Sequence, residues 1–174
     1  MYFVNPLTAI GLIETAKSHS SAIIQTGAAS QLGRMVVKLC KREKIPLINI
    51  VRKQEHVELL EKLGAEHILN SSDPNWEKEL EELARRLKAR ACFEAVAGEV
   101  TGRILLAMPR DSIVYLYGLL SGLPAAAIDP IDTIFRNKRL QGWALHQFLR
   151  EQGLIARMRL IGRVQKLLID QTAK

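Results

Sequence analysis

Residues 22–53 alternate in a way that leaves little freedom of fold. The apolar run Ala22-Ile23-Ile24-Gln25-Thr26 leads into a turn of small residues, Gly27-Ala28-Ala29-Ser30-Gln31-Leu32-Gly33. Leu32, Met35, Val36 and Leu39 then recur at helical spacing to about Glu43, and Pro46 requires that helix to have ended. Next comes Leu47-Ile48-Asn49-Ile50-Val51, a continuous and mostly β-branched run, followed by Arg52-Lys53. Strand, tight turn, helix and second strand in this order make a parallel βαβ unit. Its strands are apolar throughout because both faces of the sheet are covered.

The same alternation runs along the rest of the chain. Leu7, Ile10, Leu12 and Ile13 form a helical stripe over residues 6–17, with Pro6 in its first turn. Val57, Leu60 and Leu63 line a helix closed by Gly64 at C′, and His67-Ile68-Leu69 is a short third strand. Asp73 or Asn75 caps a charged helix over about 75–88, whose apolar stripe is Trp76, Leu80, Leu83 and Leu87. A fourth strand over 91–96, a helix over 100–108, a fifth strand over 112–117, a short helix over 131–136 and a sixth strand over 140–144 follow. A basic amphipathic helix over 154–169 closes the chain. Six strands joined by helical crossovers predict a doubly wound α/β fold, a six-stranded parallel sheet in the order 3-2-1-4-5-6. Residues 1–150 form the Rossmann unit and residues 151–174 the C-terminal helix.

At 174 residues, with 48% hydrophobic and 25% charged side chains, the chain supports one well-buried core. No apolar run approaches the roughly 18–20 residues of a membrane span. The net charge of +7 favours an anionic ligand, but the bases are dispersed and not interleaved with aromatics, which argues against nucleic acid. Cys40 falls in a helix and Cys92 in a strand at no zinc spacing, as expected of buried thiols in a reducing compartment. His19, His56, His67 and His146 are isolated, with no Cys or acidic partner at ligand or triad spacing. No catalytic constellation and no metal site is expected. A cytoplasmic protein fits these features, or a mitochondrial one whose leader has been removed.

The turn after the first strand is the principal candidate site. In the dinucleotide fingerprint the last glycine allows helix and strand to approach, and the helix N-terminus meets the pyrophosphate. Gly33 fills that last position, while Ala28 and Ser30 stand where the other two glycines would be. About 20 residues further on, an acidic residue would select NAD by its ribose hydroxyls. This chain has Arg52 and Lys53 there, two cations suited to a 2′-phosphate, so NADPH is preferred. Ala97-Gly98 and Gly118-Leu119 end the fourth and fifth strands on the same carboxyl edge, where a flat nicotinamide ring could approach main chain.

Several segments together resemble the cofactor-binding domain of the medium-chain dehydrogenase/reductase superfamily, closest to its zinc-free quinone oxidoreductase and enoyl-thioester reductase branches. They are Asn5-Pro6-Leu7-Thr8-Ala9, the Gly27–Gly33 turn, Leu63-Gly64-Ala65-Glu66-His67-Ile68-Leu69-Asn70 and Phe93-Glu94-Ala95-Val96-Ala97-Gly98. Tyr117-Gly118-Leu119-Leu120-Ser121-Gly122 and Leu140-Gln141-Gly142-Trp143 complete the set, in family order across residues 3–150. The resemblance implies that Thr8 lies near the nicotinamide ribose and phosphate, that Ala29, Ser30, Gln31 and Leu32 touch the pyrophosphate, and that Arg52 and Lys53 meet the 2′-phosphate. Ser71 stands where many relatives have a tyrosine facing that phosphate. The resemblance also implies a catalytic domain outside this chain, to which the C-terminal helix would return, and a twofold pairing of sixth-strand edges into a homodimer.

Two functions follow. One is the NADPH-binding part of an oxidoreductase that transfers hydride to a quinone, enone or enoyl thioester, inactive without its catalytic domain. The alternative is a non-catalytic NADPH-binding or dimerisation module. A weaker third reading gives Arg157, Arg159, Arg163 and Lys166, opposite Ile155, Met158, Ile161 and Leu168, an acidic partner or membrane surface.

Overall fold

The computed structural model describes residues 4–172, with side chains as far as residue 165. The six strands are β1 (Ala22–Gln25), β2 (Leu47–Val51), β3 (His67–Asn70), β4 (Ala89–Glu94), β5 (Ile113–Leu116) and β6 (Arg139–Gly142). All neighbouring pairs are parallel, in the order β3-β2-β1-β4-β5-β6. This is the doubly wound sheet expected from the sequence.

Every residue of β1 and β2 is buried, because helices cover both faces. Ile23, Leu47, Val51, Ala91, Phe93, Ile113 and Tyr115 pack on one face with residues of α1 (Val4–Lys17), α2 (Gln31–Glu43) and α3 (Gln54–Lys62). Ile24, Ile48, Ile50, Cys92 and Val114 pack on the other with α4 (Trp76–Leu87) and α5 (Glu99–Ala107). Successive strand side chains point to opposite faces, so one unbroken apolar run supplies two cores.

Cys40 and Cys92 are both buried. Burial pushes the Cys40 thiol up to about 12 and, with the Glu94 charge beside it, holds Cys92 well above its ordinary value. Neither thiol should react with Ellman's reagent in the native protein at neutral pH. Both should titrate once the chain is unfolded in guanidinium.

Pairing, rather than periodicity, sets three boundaries that the sequence places elsewhere. Ala22 pairs with Ala89, and the amide of Arg90 donates to Ser20 Oγ at 2.8 Å, so β4 starts earlier than residue 91. β6 pairs with β5 from Ile113–Arg139 to Leu116–Gly142 and ends where β5 ends, leaving Ala144 outside the strand as the N-cap of α7 (Leu145–Glu151). That helix has no counterpart in the sequence reading. It sits against Gly11, where a Cβ would come within 3.0–3.1 Å of the Trp143 and Phe148 rings.

The C-terminal helix α8 (Leu154–Thr172) docks on its own domain. It does so by a face other than the Ile155, Met158 and Ile161 stripe. Leu160 and Val164 are buried against the α1 side of the core, whereas Ile155, Met158 and Ile161 are exposed. Arg163 is not available to an outside partner, since it donates to Glu14 at 2.7 Å and Glu43 at 2.5 Å. Lys166 and Leu168, named with that stripe, lie outside the described side chains.

This cluster predicts a pH dependence for the docking of α8. Partial burial raises the Glu14 pKa, but hydrogen bonds from Arg163 and Lys17 outweigh it and hold the carboxyl below its usual range. A depressed carboxylate stabilises fully above its ordinary pKa and loses that contribution as pH falls through the depressed value. Amide protection at Leu160 and Val164 should therefore be constant from neutral pH down to about pH 4 and fall below it, ahead of protection at Ile23. Simultaneous loss at all three would show that docking of α8 has no titration of its own.

Candidate functional site

The site begins where β1 leaves the sheet. The helices that follow β1 and β4 lie on opposite faces, so a crevice opens between the carboxyl ends of these adjacent strands. Ser30 is the N-cap of α2, and its Oγ accepts the amide of Gly33 at 3.0 Å. The next amides, at Gln31 and Leu32, have no intrahelical carbonyl to meet, and no acidic side chain occupies the first turn. The cap, the free amides and the helix dipole together favour an anion here.

Gly33 holds α2 against the turn. A Cβ there would stand 2.5 Å from the Gly27 carbonyl oxygen and 2.6 Å from that of Ala28, both main chain. From below, Gln25 donates to the Gly33 carbonyl at 3.2 Å and to Asn49 Oδ1 at 2.8 Å. Asn49 in turn donates to the His67 carbonyl at 3.0 Å, so a buried amide ladder runs from β1 to β3 beneath the turn. Asn5 donates to Gln31 at 3.1 Å, bringing the first turn of α1 beside that of α2. The Thr8 hydroxyl is bonded within its own helix, to the Val4 carbonyl at 2.8 Å, and the residue is buried.

The ends of β2 and β3 are tied together. The Ser71 amide donates to the Val51 carbonyl at 2.7 Å and Ser72 Oγ to the Arg52 carbonyl at 2.8 Å, which sets Arg52 and Ser71 side by side. Arg52 is exposed and makes no ion pair among the described residues. Lys53 lies 3.4 Å from Glu55, with both side chains about two-thirds exposed. Such a pair contributes about 0–1 kcal/mol and yields readily to a stronger anion.

On the other side of the crevice, the turn after β4 and the loop after β5 form one layer. Ala97 and Gly98 both have positive φ, 63° and 75°. The amides of Leu120, Ser121 and Ala126 donate to the carbonyls of Ala95, Val96 and Gly98 at 3.0, 2.8 and 3.1 Å. Gly118 lets the two segments approach, since a Cβ there would be 2.7 Å from the Ala95 carbonyl oxygen. Gly102 plays the same part on α5, where a Cβ would meet the Ala127 carbonyl. Leu119, Leu120 and Leu123 are exposed at the rim of this layer. The apolar stretch 119–128 is thus laced to the β4–α5 turn, and Leu120 reaches across to Gly27, where a Cβ would lie 3.3 Å from its Cδ1.

Sequence reasoning missed the group beneath this layer, the fully buried Glu94 with Thr26 and Thr101. Its signal was present as the one charged residue in the run 91–96, Ala-Cys-Phe-Glu-Ala-Val. Among the described residues no group of three or more His, Cys, Asp or Glu could hold a metal ion, and no helix is long and apolar enough to cross a membrane.

A doubly wound parallel sheet with a capped, glycine-tight turn at its switch point is the architecture of a dinucleotide-binding domain. Residues 32–159 match the zinc-binding dehydrogenase family, and the chain belongs to it as a cofactor-binding domain of the medium-chain dehydrogenase/reductase superfamily. It is 29% identical over 153 residues to the mitochondrial enoyl-[acyl-carrier-protein] reductase of Arabidopsis thaliana, covering 84% of this chain and 40% of that protein. Among solved structures, a Mesorhizobium loti protein assigned as an NADPH:quinone reductase superposes with TM-score 0.88 at 32% identity, over 98% of this chain and 50% of that one. The mitochondrial 2-enoyl thioester reductase heterodimer of Candida tropicalis shares the fold, with TM-score 0.78 at 22% identity over 94% of this chain and 48% of that one. The chain spans 40–44% of the length of the curated relatives it matches.

Proposed function

We propose that this chain is the NADPH-binding part of a reductase that transfers hydride to an activated carbon–carbon double bond or a quinone. The observation that carries the reading is the division of charge along the carboxyl edge of the sheet. An α2 N-terminus with no acidic side chain in its own first turn stands at the switch point, and Arg52 stands beside Ser71 at the ends of β2 and β3. The first suits a pyrophosphate, the second a 2′-phosphate. The names of the Mesorhizobium and Arabidopsis relatives support a reductase using NADPH on quinone or enoyl substrates. Their mitochondrial members support the organellar alternative to a cytosolic setting.

When bound, NADPH supplies the hydride; the chain's own residues bind and orient it. Ala29, Ser30, Gln31 and Leu32 present the turn and first helical amides to the pyrophosphate, with Gly33 keeping α2 close enough for them to reach. Arg52 and Lys53 take the 2′-phosphate, with Ser71 beside them. Thr8, at the start of α1, borders the ribose next to the nicotinamide. Ala97, Gly98, Gly118 and Leu119 form the surface against which the nicotinamide ring lies. No described residue is assigned as a proton donor, and the role proposed for these residues is to bind and orient the cofactor.

Calorimetric titration with NADPH and NADH tests this reading. NADPH should bind at least about tenfold more tightly, the equivalent of roughly 1.4 kcal/mol. Equal affinities, or no binding of either, would overturn it.

The proposal extends to assembly. β6 is a sheet edge with all four residues exposed, and such edges invite pairing. A second copy pairing along β6 across a twofold axis would close that edge. Sedimentation velocity at tens of micromolar should show a dimer, and Leu140→Lys should return a folded monomer. A wild-type monomer under these conditions would refute the pairing.

A further inference from the structure

We infer that Glu94 is a positioning residue that sets the nicotinamide half of the cofactor site, an inference that rests on the NADPH reading above. The carboxylate is fully buried at the end of β4 and makes no ion pair among the described residues. It is instead saturated by four donors. Oε1 accepts from Thr26 Oγ1 at 2.8 Å and from the Val96 amide at 2.7 Å. Oε2 accepts from the Ala97 amide at 2.7 Å and from Thr101 Oγ1 at 2.7 Å. Thr26 also accepts the Ala95 amide at 2.8 Å, so three consecutive amides after β4 are held by this one group of side chains.

These partners span the crevice. Thr26 directly follows β1, immediately before the pyrophosphate turn, and Thr101 lies in the first turn of α5. Glu94 therefore joins the two sides of the switch point from below. Ala97 is a non-glycine residue held at φ 63°, a conformation that is unfavourable for a residue with a Cβ and persists only where its surroundings impose it. The hydrogen bond from its amide to Glu94 is what imposes it. The loop after β5 rests on the same turn through Ala95, Val96 and Gly98, so the whole nicotinamide-facing layer depends on this carboxylate.

The chemistry is specific to a carboxylate. Each oxygen receives one hydroxyl and one main-chain N–H. A hydroxyl can turn and accept, but an amide cannot. Glutamine in either orientation would thus direct its NH2 at a main-chain N–H, of Val96 or of Ala97, and displace the turn. The adenosine half of the site, at Arg52, Lys53 and Ser71, lies on β2 and β3 and has no hydrogen bond to this network.

The experiment uses the whole 174-residue chain as wild type, Glu94→Gln and Thr101→Val. NADPH and adenosine 2′,5′-bisphosphate, which lacks the nicotinamide half, are titrated calorimetrically. Glu94→Gln should weaken NADPH by roughly tenfold, as expected for one buried donor left facing another, and leave the bisphosphate within about twofold of wild type. Thr101→Val removes one donor and keeps both main-chain bonds, so it should give a smaller loss, roughly threefold, again for NADPH alone. It also keeps the test decisive if Glu94→Gln does not fold. Native-state amide exchange should be accelerated in the variants at Ala97, Leu120, Ser121 and Ala126 and unchanged at Ile48 and Ile50. A wild type that binds neither ligand overturns the cofactor reading and this inference with it. A wild type that binds both, with variants that lose both equally or neither, overturns only the role of Glu94.

Discussion

Gly33→Val is expected to abolish NADPH binding and to lower the unfolding midpoint of the chain more than any other single change in the turn. The cause is main chain meeting side chain. The Cβ alone would lie 2.5–2.6 Å from two carbonyl oxygens of the preceding turn, neither of which can move without unseating β1 from α2. Overpacking of side chains costs about 1–3 kcal/mol, and a clash with backbone exceeds that range because no rotamer relieves it. Gly33→Ala should already show much of the loss, since the first methyl makes the contact. Ser30→Gly is the control. It removes the cap that accepts from Gly33 but leaves a residue tolerated at that position, at a cost of only a few tenths of a kcal/mol. Denaturant titration and calorimetry of the three variants check the order. A Gly33→Val protein that folds and binds normally would show that the cofactor does not sit on this turn.

Arg52→Ala should erase the preference for NADPH over NADH. An Arg–phosphate hydrogen bond is charge-assisted and contributes about 1.5–3 kcal/mol, more than a tenfold discrimination. Arg52 is suited to the part because its side chain is exposed and free of any carboxylate among the described residues, while its main chain is tied to Ser72. Lys53→Ala should have the lesser effect, since Lys53 is already shared with Glu55 at 3.4 Å. Glu55→Gln should therefore raise NADPH affinity slightly and leave NADH affinity unchanged. Dissociation constants for both cofactors across the three variants measure each term. If Arg52→Ala keeps the wild-type ratio, the 2′-phosphate is read elsewhere.

The sheet was legible because its strands are short apolar runs separated by helices of ordinary length, and right-handed crossovers leave few parallel topologies for that order. β6 was placed slightly late, since an exposed edge strand has no burial pattern to mark its ends. α7 escaped notice because its docking rests on Trp143 and Phe148 meeting the bare Cα of Gly11, residues remote in sequence. α8 displays its more hydrophobic-looking stripe, Ile155, Met158 and Ile161, to the outside and docks by Leu160, Val164 and the Arg163 bridge to Glu14 and Glu43. Helical periodicity shows that a helix has faces but not which one has a partner in the same chain.

The amino-acid sequence by itself determined the class of fold, the position of the Gly27–Gly33 turn and the cations after β2. These properties depend on local spacing: an apolar run makes a strand, a small-residue turn admits a helix, and the residue following a strand lies at its carboxyl edge. Only the tertiary structure decided that Glu94 is buried and saturated by Thr26, Val96, Ala97 and Thr101, and that Gly102 and Gly118 exist for close approach of main chain. It also decided that Lys138, a cation in a surface-looking segment, is buried against Asp132 at 2.9 Å and the last carbonyls of α5. A charge in a sequence looks solvated by default. Whether its partners come from a strand or helix many residues away is settled when the sheet closes, because burying a charge is tolerable only where the fold brings its hydrogen bonds to it.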